Sequence, residues 1–414
     1  MRQFSFRTRR TAAIIAAGAA VALFAACSGG GSGDGGGDSG QELTILFGSS
    51  GDAETAALTS AAEAWASESG NTVEVVAASD LNQQLGQGFS GNSPPDLFYM
   101  GWDQFQTYAG KGFLEPYAAD MPNAGDFYPA LVDTYTFEDT FYCEPKDFST
   151  LGLVINTDLW AAAGLTDADI PTDWDSLTAA ATKLSANGVT GLSFGQEYAR
   201  IGVFMNQAGG QLVDGDTVTA DSPENAEGLA YVQSLLAAGA LKFPADLDAG
   251  WAGEAFGLGK AAMVIEGPWI NGAMANDFPD VNFQVAELPA GPGGQSTYTF
   301  SNCWGMPAGS DTKDAATSLI EFLTSDDQQL AFADAFGVIP STESAAAVYA
   351  ETYPENAAFV AGNDYAVSPV SFAGAAEAIA DFNASLASIA TADPSAILAT
   401  FQENLQAALD EANG

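Results

Sequence analysis

The hydrophobic positions of the chain change period in a regular order. "ELTILFGSS", residues 42–50, opens as an alternating β-branched run and stops on Gly48 and two serines, a strand running into a loop. "AETAALTSAAEAWASESGN" then puts Ala57, Leu58, Ala61, Ala62 and Trp65 on one helical face and stops at Gly70. "TVEVVAAS" predicts a second strand, "DLNQQLGQGF" a short helix, "DLFYMG" a third strand and "WDQFQTYAGKG" another helix. Strands alternating with helices predict a parallel sheet covered by helices, the α/β class. Further on, "STLGLVINTDLW" is a strand running into a helix. "PTDWDSLTAAATKLSANG" predicts a helix with Thr172 as N-cap, Asp175 three residues later and a stop at Gly188. "SPENAEGLAYVQSLLAAG" repeats the plan with Ser222 as cap, Pro223 at the first helical position and Gly239 as stop. "KAAMVIEG" and "VNFQVAELP" are strands; "KDAATSLIEFLTS", "DDQQLAFADAFG" and most of the chain after Gly374 are helical.

The N-terminus departs from this pattern. "MRQFSFRTRR" is basic and is followed by sixteen uncharged residues and then Cys27. A basic stretch, a short apolar run and small residues describe a secretory signal, residues 1–26, too short for a membrane span. "FAAC" resembles a bacterial lipobox, with Phe24 where a leucine is usual, which implies lipid on Cys27. "TRRTAAI" resembles a twin-arginine signal but lacks the aromatic and leucine that should follow. Residues 27–41, nearly all Gly, Ser and Asp, can bury nothing and form a flexible tether. A lipid-anchored protein outside the cytoplasm is expected.

Composition removes several functions. Four of the eleven Lys and Arg fall in the first ten residues, leaving seven against 53 acids. Nucleic acid and anionic lipid are poor partners for such a surface. With no histidine, Ser-His-Asp and Cys-His nucleophiles and His-ligated zinc are excluded. Beyond Cys27 two cysteines remain, Cys143 and Cys303, which allow one disulfide and no cysteine metal cluster. No cofactor and no metal site are expected. Some 370 residues after the tether suggest two lobes at about 100–200 residues each.

Six segments in one order carry a resemblance: "PPDLFYMGWDQFQTYAGKGFLEPY", "YCEPKDFSTLGLVINTDLWAAAGL", "PTDWDSLTAAATKL", "EAFGLGKAAMVIEGPW", "FLTSDDQQ" and "GVIPS". The chain resembles the extracellular solute-binding proteins of ATP-driven (ABC) importers, in the sugar-binding family that includes maltose-binding proteins. It departs where the family has Y-G-x-P, here Tyr142-Cys143-Glu144-Pro145, and where it has Y-N-K, here Ile155-Asn156-Thr157. The resemblance implies a two-lobe periplasmic-binding-protein-like α/β fold with hinge strands and a ligand cleft between the lobes. Crossings are expected near residues 147–151, 300–304 and 324, giving lobes of 42–147 with 303–323 and of 148–302 with 324–414. It implies that the crossings run side by side, so that Cys143 and Cys303 approach and bond; two buried free thiols remain the alternative.

A sugar site needs aromatic plates and charged or amide groups. Trp102 and Asp103 follow a strand, where open α/β sheets bind ligands; packing is the other reading of Trp102. Trp269, projected by "IEGPW", matches the family's stacking tryptophan, and Tyr198 in "GQEYAR" its loop tyrosine. Ser49 and Ser50 end the first strand. Asp147 stands between a ligand contact and an ion pair with Lys146, and Trp304 between a sugar plate and hinge packing. Trp65, Trp160 and Trp174 sit on amphipathic helices and belong to the core. The implied function is an oligosaccharide receptor, maltodextrin-like, monomeric and non-catalytic, that delivers its ligand to a membrane permease. A secreted carbohydrate-active enzyme and the same fold binding a non-sugar solute are the alternatives; a glycosidase needs only two carboxylates.

Overall fold

The computed structural model describes residues 40–413 apart from 187 and 216. Cys27 and the expected signal and tether, up to residue 39, lie outside the described residues.

The chain begins with the expected alternation: β1 (Glu42–Phe47), α1 (Asp52–Ser69), β2 (Thr72–Ala77), α2 (Leu81–Ser90), β3 (Leu97–Gly101) and α3 (Trp102–Gly110). β1 pairs in parallel with both β2 and β3. Gly70 ends α1 in the left-handed region, φ 76°, its N–H bonded to Ala66 O, a conformation that favours glycine. A short helix, α4 (Pro129–Thr134), and the two-residue strands β4 (Thr136–Phe137) and β5 (Thr140–Phe141) lead to the first crossing.

After β6 (Ser149–Thr150) come β7 (Gly152–Asn156), α5 (Thr157–Ala162), α6 (Trp174–Ser185), β8 (Thr190–Ser193), α7 (Tyr198–Gln207), β9 (Val213–Asp214), β10 (Thr217–Val218), α8 (Pro223–Ala237), α9 (Ala252–Gly257), β11 (Ala261–Glu266), α10 (Trp269–Asp277) and β12 (Phe283–Ala286). They build a second sheet, ordered β12-β7-β11-β8, in which β7 runs antiparallel to both neighbours. α8 starts on Ser222 and Pro223 as expected. The N-cap of α6 is Asp173, not Thr172. Extended Asp173 accepts the Ser176 N–H at 2.8 Å and Ser176 Oγ closes the box on the Asp173 N–H at 3.0 Å, so the helix starts one residue later.

β13 (Thr297–Phe300) then pairs with β6, and β14 (Asn302–Gly305) adds to the first sheet, antiparallel to β3, giving the order β14-β3-β1-β2. α11 (Lys313–Leu323), α12 (Asp326–Phe336), α13 (Glu343–Thr352), α14 (Ala357–Ala361), β15 (Ala366–Val367), α15 (Ala375–Ser385) and α16 (Pro394–Asn413) complete the chain. Each four-stranded sheet has its own core. Ile45, Leu58, Phe98 and Leu319 pack at the first, and Leu153, Leu177, Phe204 and Phe382 at the second. Trp65 is buried in the first core, Trp160 and Trp174 in the second.

Three extended segments lie side by side between the sheets. Lys146 N–H donates to Asn302 O at 2.8 Å, Trp304 N–H to Glu144 O at 3.0 Å, and Phe148 N–H to Ile339 O at 2.8 Å. The segment paired with Phe148 is thus at Ile339. Thr324 is buried, its hydroxyl 2.7 Å from Glu144 Oε2, and α12 beyond it contributes Phe332 to the first core. Cys143 and Cys303 form a disulfide across the first two segments, with Cα atoms 5.6 Å apart. It closes a separation of 160 residues, for which chain entropy gives more than roughly 4 kcal/mol.

Candidate functional site

The ends of β1, β3 and β11 and the paired segments surround one cleft. On the first-sheet side the chain leaves β1 through Ser50 and enters α1. Glu54 lies in the first turn of α1 on its buried face, 3% exposed. It accepts the Ser50 N–H and hydroxyl, each at 2.7 Å, and the Tyr99 hydroxyl at 3.0 Å. Lys146 Nζ approaches Glu54 Oε1 at 3.4 Å, pairs with Asp147, and lies 4.6 Å from the Tyr99 ring centroid. Burial pulls the Glu54 carboxyl upward, but the Lys146 charge and the Ser50 and Tyr99 donors outweigh it and leave it below the usual value. Burial would lower Lys146, yet Asp147 and Glu54 hold its pKa above the ordinary one, so it stays charged.

On the opposite side β11 ends at Glu266, which is buried beside the cleft-lining Trp269. Its Oε2 accepts Trp269 Nε1–H at 3.0 Å and Arg200 Nη2–H at 2.8 Å. The Arg200 guanidinium lies 5.4 Å from the Trp269 ring centroid and also bonds Glu197 at 3.0 Å. An edge hydrogen bond and a cation near the ring hold the half-buried indole in one orientation. A Cβ on Gly267 would stand 2.3 Å from that ring, so any side chain there would displace the indole. Phe300, at the end of β13, lies between the two sides, its centroid 6.4 Å from both Trp102 and Trp269.

Ser50, Glu54, Lys146, Asp147, Trp269 and Phe300 border a cavity of about 270 Å³. A second cavity of about 780 Å³ shares Ser50, Glu54, Trp269 and Phe336 with it and continues to Trp251. The cleft therefore presents aromatic faces beside carboxylates and one ammonium. That combination accepts the hydroxyls and stacks against the C–H faces of a sugar. Among the described residues, no group of three His, Cys, Asp or Glu could hold a metal ion, and no helix is long and apolar enough to cross a membrane.

Five of the residues singled out from the sequence meet at the first cavity: Ser50, Trp102, Asp103, Asp147 and Trp269. Three do not line it. The Ser49 hydroxyl bonds Gly51 O at 2.7 Å and Thr55 Oγ1 at 2.8 Å. Trp304 is 1% exposed, packed edge-on against Tyr99 in the first core. Tyr198 is 2% exposed, packed against Tyr298 in the second. Glu54, Lys146 and Phe300 line the cavity without having been singled out. Glu54 had a signal, since it shares the face of Leu58, Ala61 and Trp65 on α1, where a lone acid needs a partner.

Residues 60–361 match the family described as bacterial extracellular solute-binding protein. The chain belongs to that family. This solute-binding protein is 26% identical over 302 residues to a Brucella abortus protein described only as a binding protein, covering 70% of this chain and 72% of that one. It is 26% identical over 277 residues to the diacetylchitobiose binding protein of Streptomyces coelicolor, 64% of each chain. Its fold superposes on the GacH receptor of Streptomyces glaucescens, solved unliganded and with acarbose, with a TM-score of 0.81 at 24% identity, covering 90% of this chain and 99% of that one.

Proposed function

We propose that this solute-binding protein captures an oligosaccharide, maltodextrin-like in size and chemistry, and hands it to the membrane permease of an ABC importer. It acts outside the cytoplasm, held to the membrane by lipid on Cys27, and catalyses nothing. The observation that carries the reading is the Trp102–Phe300–Trp269 row facing the Glu54–Lys146–Asp147 floor. Relatives described as binding diacetylchitobiose or solved with acarbose support a sugar ligand. The lobes are 42–147 with 303–338, longer than the expected 303–323, and 148–302 with the C-terminal part of the chain. The third crossing is placed at Ile339 rather than Thr324, because α12 packs on α1. Closure brings both walls onto the ligand and excludes water.

Calorimetric titration with maltotetraose tests this, followed by analysis of the incubated sugar. Binding with the tetrasaccharide recovered intact supports a receptor. Released glucose would mean an enzyme, and no heat with any oligosaccharide of a panel would mean a non-sugar solute.

A further inference from the structure

A separate cavity of about 530 Å³ opens beside α7 and β13 and shares no lining residue with the cleft. Tyr198 and Tyr298 form its back, with ring centroids 5.2 Å apart. One side is the β13–β15 pair, Thr297 opposite Ala366 and Tyr298 opposite Val367. Its rim carries the exposed amides of Gln211 and Gln295. Among the described residues no Asp, Glu, Lys or Arg lines it; the Gln295 amide donates to Glu287 Oε2 at 3.3 Å, so that carboxylate stands behind the rim. Ser296, 5% exposed, lines it with a buried Oγ that has no hydrogen-bond partner. An unpartnered buried hydroxyl is costly, and a ligand hydroxyl would relieve it.

The size falls within the roughly 300–1,000 Å³ of pockets that hold small organic ligands. Tyrosine rings ringed by amides and hydroxyls, with the nearest carboxylate, Glu287, bonded to the rim amide of Gln295, match a molecule with apolar faces and many hydroxyls. We propose that this cavity is a second binding site of the protein, for a neutral polyhydroxylated molecule of one or two rings.

The site is connected to the cleft by the chain that covers it. Beyond β15, Ser368 Oγ lies 3.0 Å from Thr134 Oγ1, and Ser371 Oγ donates to Trp102 O at 2.6 Å. The segment that flanks the second cavity therefore holds the backbone of a cleft-wall tryptophan. Filling the cavity orders that segment and changes the affinity of the cleft, and the coupling acts equally in the other direction.

Hydrogen-exchange mass spectrometry of the full chain, with D-glucose, maltose and myo-inositol as probes, tests the site. Peptides covering residues 206–213 and 365–370 should exchange more slowly with at least one probe, by about tenfold at ten times its Kd where exchange requires the bound region to open. The slowing should persist in Trp269→Ala, which impairs the cleft, and vanish in Gln295→Trp, which fills the rim. Gln211→Trp, on the same rim, gives the same test should the first variant not fold. No slowing with any probe at saturating concentration overturns the proposal. So does slowing that is lost in Trp269→Ala and kept in the rim variants, because it then originates in the cleft. Failure of maltotetraose to bind the cleft leaves these outcomes unchanged, so the two readings fail separately.

Discussion

Glu144 makes the stability of this protein depend on pH in an unusual direction. The residue is fully buried where the first paired segment meets the end of α11. Its Oε2 lies 2.7 Å from Thr324 Oγ1, which is also 2.8 Å from Ile320 O, so one hydroxyl proton faces two acceptors. Glu144 Oε1 and Asn123 Oδ1 are both buried without a hydrogen-bond partner. A protonated carboxyl supplies the missing donor; an ionised one leaves a buried charge unpaired. Among the described residues the nearby groups add no cation. Glu321 is acidic, the Tyr117 hydroxyl meets the Glu144 backbone, and Lys146 is committed to Glu54 and Asp147. Burial pushes the Glu144 carboxyl from 4.5 up to about 7. A group whose pKa rises on folding contributes fully below its unfolded pKa and loses that contribution as pH climbs through the folded value. A rise of this size corresponds to about 3 kcal/mol, lost between about pH 4.5 and 7. Glu144→Gln keeps the site neutral at every pH. Its unfolding midpoint should match the wild type near pH 4 and exceed it at pH 8, by on the order of 5 °C. Thermal unfolding of both proteins from pH 4 to 8.5 reads the difference and cancels the repulsion of the other acids. An offset that does not grow with pH, or a variant less stable at pH 8, refutes the reasoning.

Four further outcomes follow from the cleft and the paired segments. Trp269→Ala should weaken oligosaccharide binding by about 1–3 kcal/mol, the scale of planar stacking on aromatics, with the unfolding midpoint nearly unchanged; unaltered calorimetric affinity removes Trp269 from the site. Gly267→Ala should lower affinity too, since its Cβ would stand 2.3 Å from the Trp269 ring and displace it; wild-type affinity would show that the indole's orientation does not matter. Replacing Cys143 and Cys303 together by serine should lower stability to denaturant by up to about 4 kcal/mol while sparing affinity, because neither lines the cleft. Solution scattering should give a smaller radius of gyration with ligand than without, and an identical radius would mean a rigid or preclosed receptor.

Local signals in the sequence located the elements that depend on local physics. Gly70 ends α1 and Ser222–Pro223 open α8 because caps are set by a few neighbouring residues. The shift from Thr172 to Asp173 shows the limit, since both can cap and only the backbone at 173 is placed to accept the Ser176 N–H. β14 could not be read from alternation at all. It joins β3 antiparallel from some two hundred residues away, and its place in the first sheet depends on where the chain returns. The resemblance to sugar-binding receptors supplied that return, and with it the Cys143–Cys303 pair.

The same division explains the site. That Trp102 and Trp269 line the cleft could be read from the sequence because each follows a strand end, where open α/β sheets leave their crevice. Tyr198 carries the same kind of ring but opens α7, whose period turns it inward onto Tyr298 and Phe382. Trp304 stands within β14, where pairing with β3 buries it against Tyr99. Residue type alone does not separate plate from core; the position of the ring relative to the strand end does. The charged floor is harder still to foresee, because Glu54 meets Tyr99 across 45 residues and Lys146 across 92. What the sequence does show is scarcity. With seven basic residues after the first ten positions and 53 acids, a lysine next to an aspartate in a crossing segment has many carboxylates to choose from. The fold buries it against two of them, and desolvation makes that placement costly unless every partner is in place. Such a buried charge cluster at the floor of a cleft adds little net stability. In the oligosaccharide receptor proposed above it would present fixed, charge-assisted hydrogen-bonding groups before a ligand arrives, so that less ordering is needed on binding.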